Sequence, residues 1–359
     1  MRSVAAEAVP VWDRLEGIPD PAENPALFGH RAELDRLAAM HAAGRLHHAI
    51  LIGGPRGIGK ATFAAHLAGH LLRHPDSAGA PGKYREPEAE DRTHGKIAAG
   101  AHPNLIWLRR PYDEKNKRFR TELTIDEIRR ARAFFTSKAA GGGWRIAIVD
   151  AADDLNTNAA NALLKILEEP PTRALLMVVA HSPQRLLATI RSRCLKLSLK
   201  PLAADDMRQA LTAIGALDAD ADPGDAELAL ALAGGSVRRA AILLREDGAR
   251  LYRQFAALAA NAREPDWAAV HAFASTLTGA AGEERYRLAL NLIADYVARR
   301  LREEPEPAGS QAGPISGISL AAWVEVWEKA RHSADMADAY NLDRKQVFLD
   351  LFEAMRIAA

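Results

Sequence analysis

The stretch that most constrains this chain is Leu51 to Thr62, "LIGGPRGIGKAT". The apolar run "HHAILIGG" before it reads as a short buried strand, and from Thr62 to Leu72 apolar residues recur at helical spacing. Gly54, Pro55, Arg56, Gly57, Ile58, Gly59 and Lys60 therefore fill the pattern G-x-x-x-x-G-K between a strand and a helix. Glycines let backbone N–H groups curl around phosphate oxygens, the helix N-terminus adds its positive dipole end, and Lys60 supplies a point charge. One hydroxyl is missing. The Ser or Thr that would ligate Mg²⁺ after the lysine is Ala61, and Thr62 comes one place late, about 100° further round the helix.

The flanking pattern extends this into an α/β domain. Glu33 to Gly44 reads as a helix, as do Ile125 to Thr136 and "NAANALLKILEE", while "NLIWLRR", "WRIAIVD" and "ALLMVVA" read as strands. Strands alternating with helices imply a mostly parallel sheet. Between the first helix pair and the next strand, residues 73–103 lose all periodicity and read as an insertion or flexible excursion. Beyond "LSLKPLAADD" strand signals vanish. Met207, Ala210, Leu211 and Ile214 mark one helical face, Tyr286, Leu290, Ile293 and Val297 a second, and Val347, Leu351 and Met355 a third, with "EEPEPAGSQAGPISG" as a loop between the last two.

Composition narrows the function classes. At 359 residues the chain is long enough for two or three domains. A net charge of +1 argues against a nucleic-acid binder acting alone, so any DNA contact should be local or shared. A single cysteine, Cys194, excludes a disulfide framework and a thiolate zinc site within the chain, and reads as a packed thiol. No run approaches eighteen apolar residues and the first 25 lack an apolar core, so the expectation is a cytoplasmic protein without a membrane segment.

A second position bears on hydrolysis. In "RIAIVDAADDLN", Asp150 ends an apolar strand as a metal-holding Walker B aspartate does, but Ala151 and Ala152 stand where an acid would polarise the attacking water. Asp153 and Asp154 read as solvated acids near a helix start, complementing its dipole. "NALLKILEEPP" (Asn161 to Pro171) and "SPQRLLATIRSRC" (Ser182 to Cys194) then resemble the clamp-loader branch of the AAA+ ATPases over roughly residues 25–245, more weakly beyond. Asp150 precedes Asn161 by the eleven residues that separate the same two positions in that family's motor subunits, so Ala151 is a true departure from the motor pattern.

The resemblance implies an AAA+ P-loop domain over residues 1–200, a helical lid over 201–248 and an all-α collar over 249–359. It implies that Arg193 of "SRC" acts as an arginine finger in a neighbouring subunit's ATP site, and that Arg238 of "GGSVRRA" monitors nucleotide at the sensor 2 position. The pocket would hold ATP or ADP without cleaving it. The partners implied are the motor (gamma/tau) and delta subunits of a bacterial DNA polymerase III clamp loader, a sliding clamp, and primed DNA reached through the assembly. Many subunits of the non-motor type carry a four-cysteine zinc module after the first P-loop helix. Residues 73–103 offer only His74, His94 and His102, so no structural zinc is expected. The rival expectation is an active motor, either a clamp-loader ATPase or a branch-migration helicase, with Thr62 and Asp153 replacing the missing groups.

Overall fold

A computed structural model describes residues 10–88, 90–136, 143–218, 221–278, 282–310, 319–340 and 342–359. Its contacts divide the chain into two compact units, Met1–Gly215 and Ala216–Ala359. The first contains, in order, α1 (Arg31–Ala42), β1 (Ala49–Gly53), α2 (Lys60–Arg73), α3 (Arg92–Ala98), β2 (Leu105–Leu108), β3 (Tyr112–Asp113), β4 (Arg118–Phe119), α4 (Ile125–Thr136), β5 (Arg145–Asp150), α5 (Thr157–Glu168), β6 (Ala174–Ala180), α6 (Ala188–Ser192), β7 (Leu195–Ser198) and α7 (Ala204–Ala213).

Five strands form one parallel sheet in the order β2-β5-β6-β1-β7. β1 and β6 are buried along their whole length, which is why they read as continuous apolar runs rather than alternating ones. The two-residue period still sorts their faces. Leu51, Val149, Leu176 and Val178 pack with Ile128 and Phe135 of α4 and Leu163 and Ile166 of α5, while α2 lies against β1, β5 and β6 elsewhere. The α/β P-loop fold expected from the sequence is the one observed. Register aligns the strand ends: Val179 of β6 is paired with both Ile52 and Asp150, so the phosphate-loop strand and the Walker B strand finish in one row, about 10 Å apart across β6.

Residues 73–103 are a correction to the flexible excursion that their lost periodicity suggested. Tyr84 is buried, with its N–H donated to Asp35 and its carbonyl accepting from Arg31 at 2.6 Å. The Tyr84 hydroxyl meets His66 Nδ1, and His66 Nε2 faces the Asn24 carbonyl at 3.0 Å. Arg73 pairs with Asp91 at 3.0 Å, and Asp91 also caps α3 through the N–H groups of Thr93 and His94. This segment is held by single polar anchors rather than by an apolar stripe, so hydrophobic periodicity could not reveal it. The hairpin of β3 and β4 is a second element the sequence reading did not foresee.

The second unit is all helical: α8 (Pro223–Ala233), α9 (Val237–Arg245), α10 (Gly248–Ala260), α11 (Trp267–Thr278), α12 (Gly282–Leu301), α13 (Leu320–Tyr340) and α14 (Arg344–Ala358). Its core is aromatic, with Phe255, Phe273, Tyr296, Phe348 and Phe352 meeting at ring separations of 5.2 to 6.5 Å. Of the stripes read from sequence, Tyr286, Ile293, Val297, Val347, Leu351 and Met355 are buried, and Leu290 packs against Ala334, Ala337 and Val347. Residues 311–318 of the expected loop lie outside the described residues. Among the described residues no helix is long and apolar enough to cross a membrane.

Candidate functional site

The phosphate loop leaves β1 at Gly53 and enters α2 at Lys60. Two of its glycines are required by their surroundings. A Cβ on Gly53 would sit 2.5 Å from Pro183, and one on Gly54, at φ +150°, would sit 2.5 Å from the Leu199 carbonyl oxygen. Gly57 and Gly59 also take positive φ, which gives the loop its curl into the helix. Lys60 is 3% exposed, and its Nζ donates to the Gly54 and Pro55 carbonyls at 2.6 and 2.5 Å. Burial brings its pKa down to about 8, against the pull of Asp150 and Asp153. The loop therefore satisfies its own lysine. Ala61 and Thr62 are the first residues of α2 after it, half-buried, with Ile58 buried in the loop and Arg56 exposed.

Arg56 is ion-paired with Asp13, a residue from the N-terminal segment. Asp13 also lies close enough to Asp150 and His181 to act on the ionisation of both. Its neighbour Trp12 stands edge-on to Phe119 of β4 at 5.3 Å and carries the Arg110 guanidinium over its ring at 4.3 Å. Residues 12–20 thus run as a strap from the phosphate loop to the hairpin.

Asp150 ends β5 where expected, but it is not free. Arg109 Nε stands 3.3 Å from Asp150 Oδ2, and the same guanidinium holds Asp20 at 2.7 Å and covers the Trp107 ring at 4.3 Å. Burial pushes the Asp150 carboxyl up, with Arg109 pulling it back, and the two aspartates hold Arg109 above its ordinary value despite its burial. A carboxylate engaged by a fixed cation is a poor ligand for a divalent metal, and Ala61 offers no hydroxyl. The donor set does not fit Mg²⁺.

Asp153 and Asp154 correct the reading of solvated acids near a helix start. Asp153 accepts from the His181 and Ser182 N–H groups at 2.6 and 2.8 Å, tying β6 at its end, and Asp154 pairs with Arg110. Neither is available to polarise water. His181 has its Nδ1 buried without a hydrogen bond, and burial lowers its pKa, with Lys60 next in effect. The signal for these partners was present only as the paired arginines after β2. Arg109 and Asp20 are 89 residues apart in the chain, beyond any local pattern.

Arg193 lies at the other end of the domain, just after α6. Its Nη2 pairs with Glu168 at 2.9 Å and its Nη1 donates to the Thr189 carbonyl at 3.1 Å, with 38% of the side chain exposed. Cys194 beside it is buried, and burial raises its pKa to about 11, as fits a packed thiol rather than a nucleophile. Arg238 belongs to the second unit, in the first turn of α9, where Ser236 caps the helix and Arg239 pairs with Asp295. Among the described residues no three His, Cys, Asp or Glu side chains converge as a metal would need, and His94 instead lines a small cavity with His66, Arg73 and Tyr84.

Residues 29–203 match the family described as DNA polymerase III, delta subunit. Through this domain the chain is similar to delta' subunits. Delta' of Pseudomonas aeruginosa is 38% identical over 192 residues, 53% of each chain, and delta' of Escherichia coli K12 is 35% identical over 165 residues, 46% of each. The tau subunit of Escherichia coli K12 is 31% identical over 185 residues, 52% of this chain and 26% of tau. The chain thus spans about half the length of the curated delta' relatives it matches. In the matched region Ala61 follows Lys60, Ala151 follows Asp150, and Asp150 is engaged by Arg109.

Proposed function

We propose that this chain is the delta' stator of a DNA polymerase III clamp loader. It holds a gamma/tau motor subunit, stands in one ring with delta, and offers Arg193 to the neighbour's ATP while hydrolysing none itself. The observation that carries the reading is the contrast between its two ends. At the phosphate loop every acid that hydrolysis would need is already paired within the chain, whereas Arg193 stands at the surface on a short tether to Glu168. A guanidinium brought against a γ-phosphate stabilises the charge that develops on transfer, an effect of about 10³–10⁵ in rate.

The rest of the proposal follows from that placement. Residues 1–200 serve as the AAA+ domain, 201–248 as the lid carrying Arg238 as sensor, and 249–359 as the collar, in a cytoplasmic hetero-oligomer. The loader opens a sliding clamp and closes it on primed DNA. ATP or ADP enters this chain's own pocket only by displacing the Lys60 contacts to the loop carbonyls and the Asp13 pair on Arg56, so its occupancy is weak and without turnover. ATP turnover tests the reading, with the loader reconstituted around wild-type or Arg193→Ala chain and the isolated chain beside it. The expected result is a silent isolated chain and a loss of at least a hundredfold in the assembly. Turnover by the isolated chain that Lys60→Ala abolishes, with the assembly indifferent to Arg193→Ala, would replace the stator with a motor.

A further inference from the structure

We infer that the β3–β4 hairpin is a contact for the phosphate backbone of DNA. The inference deepens the DNA-directed part of the proposed function and rests on it, but concerns an element that neither the phosphate loop nor Arg193 uses.

Residues 109–132 carry nine lysines and arginines against five acids; Arg109, Arg110, Arg129 and Arg130 are paired with acids, which leaves Lys115, Lys117, Arg118 and Arg120 as a group of cations on one short hairpin. The hairpin shapes that charge. Tyr112 and Phe119 are a cross-strand pair with rings 5.1 Å apart, and Phe119 is in turn against Trp12, so this face is anchored to the domain. Asp113 and Arg118 are the other pair, and the two-residue period turns them to the opposite face. The anchored aromatic face holds the tip outward.

Of the two acids in the hairpin, one is engaged in making the turn. Asp113 accepts from the Lys115 and Asn116 N–H groups and from the Asn116 side chain. Lys115, Lys117, Arg118 and Arg120 are exposed, and among the described residues none of their side chains forms an ion pair. Glu114 is the only other acid in the hairpin.

The chemistry of the partner follows from what accompanies the charge. No large apolar side chain is exposed anywhere in the hairpin. A protein partner needs an apolar or aromatic anchor at the centre of its contact, and a membrane surface needs an apolar face to receive. Several long cations around a short rigid turn, with no such anchor, suit a polyanion read by charge alone. Phosphates contacted in this way fix position on DNA without selecting sequence.

The test is fluorescence anisotropy of the full chain with a labelled primer–template oligonucleotide, over salt from about 50 to 200 mM. The triple variant Lys115→Ala, Lys117→Ala, Arg118→Ala is compared with a charge-matched triple at Arg36, Arg185 and Lys200. The hairpin variant is expected to bind at least tenfold more weakly at low salt, with a log–log salt slope shallower by about 2 to 3, while the matched triple stays within twofold of wild type. Circular dichroism and melting identical to wild type confirm that the hairpin variant is folded. Equal losses in the two triples, an unchanged hairpin variant, no binding by wild type, or equal competition by polyglutamate of the same charge would each overturn the inference. Turnover of the assembly with Arg193→Ala is read separately, so failure of the hairpin contact and failure of the stator reading remain distinct.

Discussion

Lys60 is an ammonium enclosed by its own loop, and its charge is the part of the site that pH can remove. With its pKa brought to about 8 by burial, it is mostly charged at pH 7 and mostly neutral at pH 9. Affinity for ADP, measured by calorimetry on the Asp13→Ala chain in which the strap contact is weakened, should therefore fall about tenfold between those values. The effect on folding has the opposite direction. Between about pH 8 and 10.5 the unfolded chain holds the lysine proton that the folded chain has released, so this group's contribution to stability rises with pH across that window. Arg109 makes a second residue-scale prediction. Arg109→Ala leaves Asp150 and Asp20 without their shared cation, and urea denaturation should show a loss of about 3 kcal/mol, with Arg109→Lys intermediate because an ammonium cannot fork between two carboxylates.

The strap and the segment after α2 are held by single polar contacts, the second carrying the short helix α3. Deleting residues 1–21 removes Asp13 and Asp20 from the mouth of the site, and binding of a fluorescent ADP analogue should tighten at least fivefold. The segment anchored on His66 and His70 should loosen in acid. Burial brings both imidazoles to about 4, and His70 has neither ring nitrogen bonded, so each is neutral in the fold and stability is complete above about pH 6.5. As pH falls from 6.5 toward 4 each histidine withdraws about 1.4 kcal/mol per unit, and amide exchange over residues 84–98 should show the opening before the sheet melts. These elements also mark what was legible in the sequence. The sheet, its helices and the P-loop were readable because their signals are local: apolar runs, helical spacing and glycines beside a lysine. The strap, the hairpin and the partners of Asp150, Asp153 and Asp154 were not, because each depends on single polar contacts between residues distant in the chain. The expectation for Arg193 rests only on the company of "EEPP" and "TIRSRC", because a lone arginine beside a cysteine carries no signal of its own.

At the scale of the whole molecule, the two units have separate cores, one built on a sheet and the other on interlocking aromatic rings. Chains of residues 1–215 and 216–359 should each fold alone, giving native-like circular dichroism and a cooperative melt, and a Phe255→Ala substitution should lower the melting temperature of the second without touching the first. The triad of Asp20, Arg109 and Asp150 bears on how such a protein can change over generations. Placing Thr at Ala61 and Glu at Ala151 would supply the letters of a motor, yet a metal would still meet an aspartate held by an arginine. Removing that arginine strands two carboxylates in a poorly solvated place. Any change that freed Asp150 for a metal would therefore have to give Asp20 a new partner in the same step, so two distant segments of the chain are constrained as one.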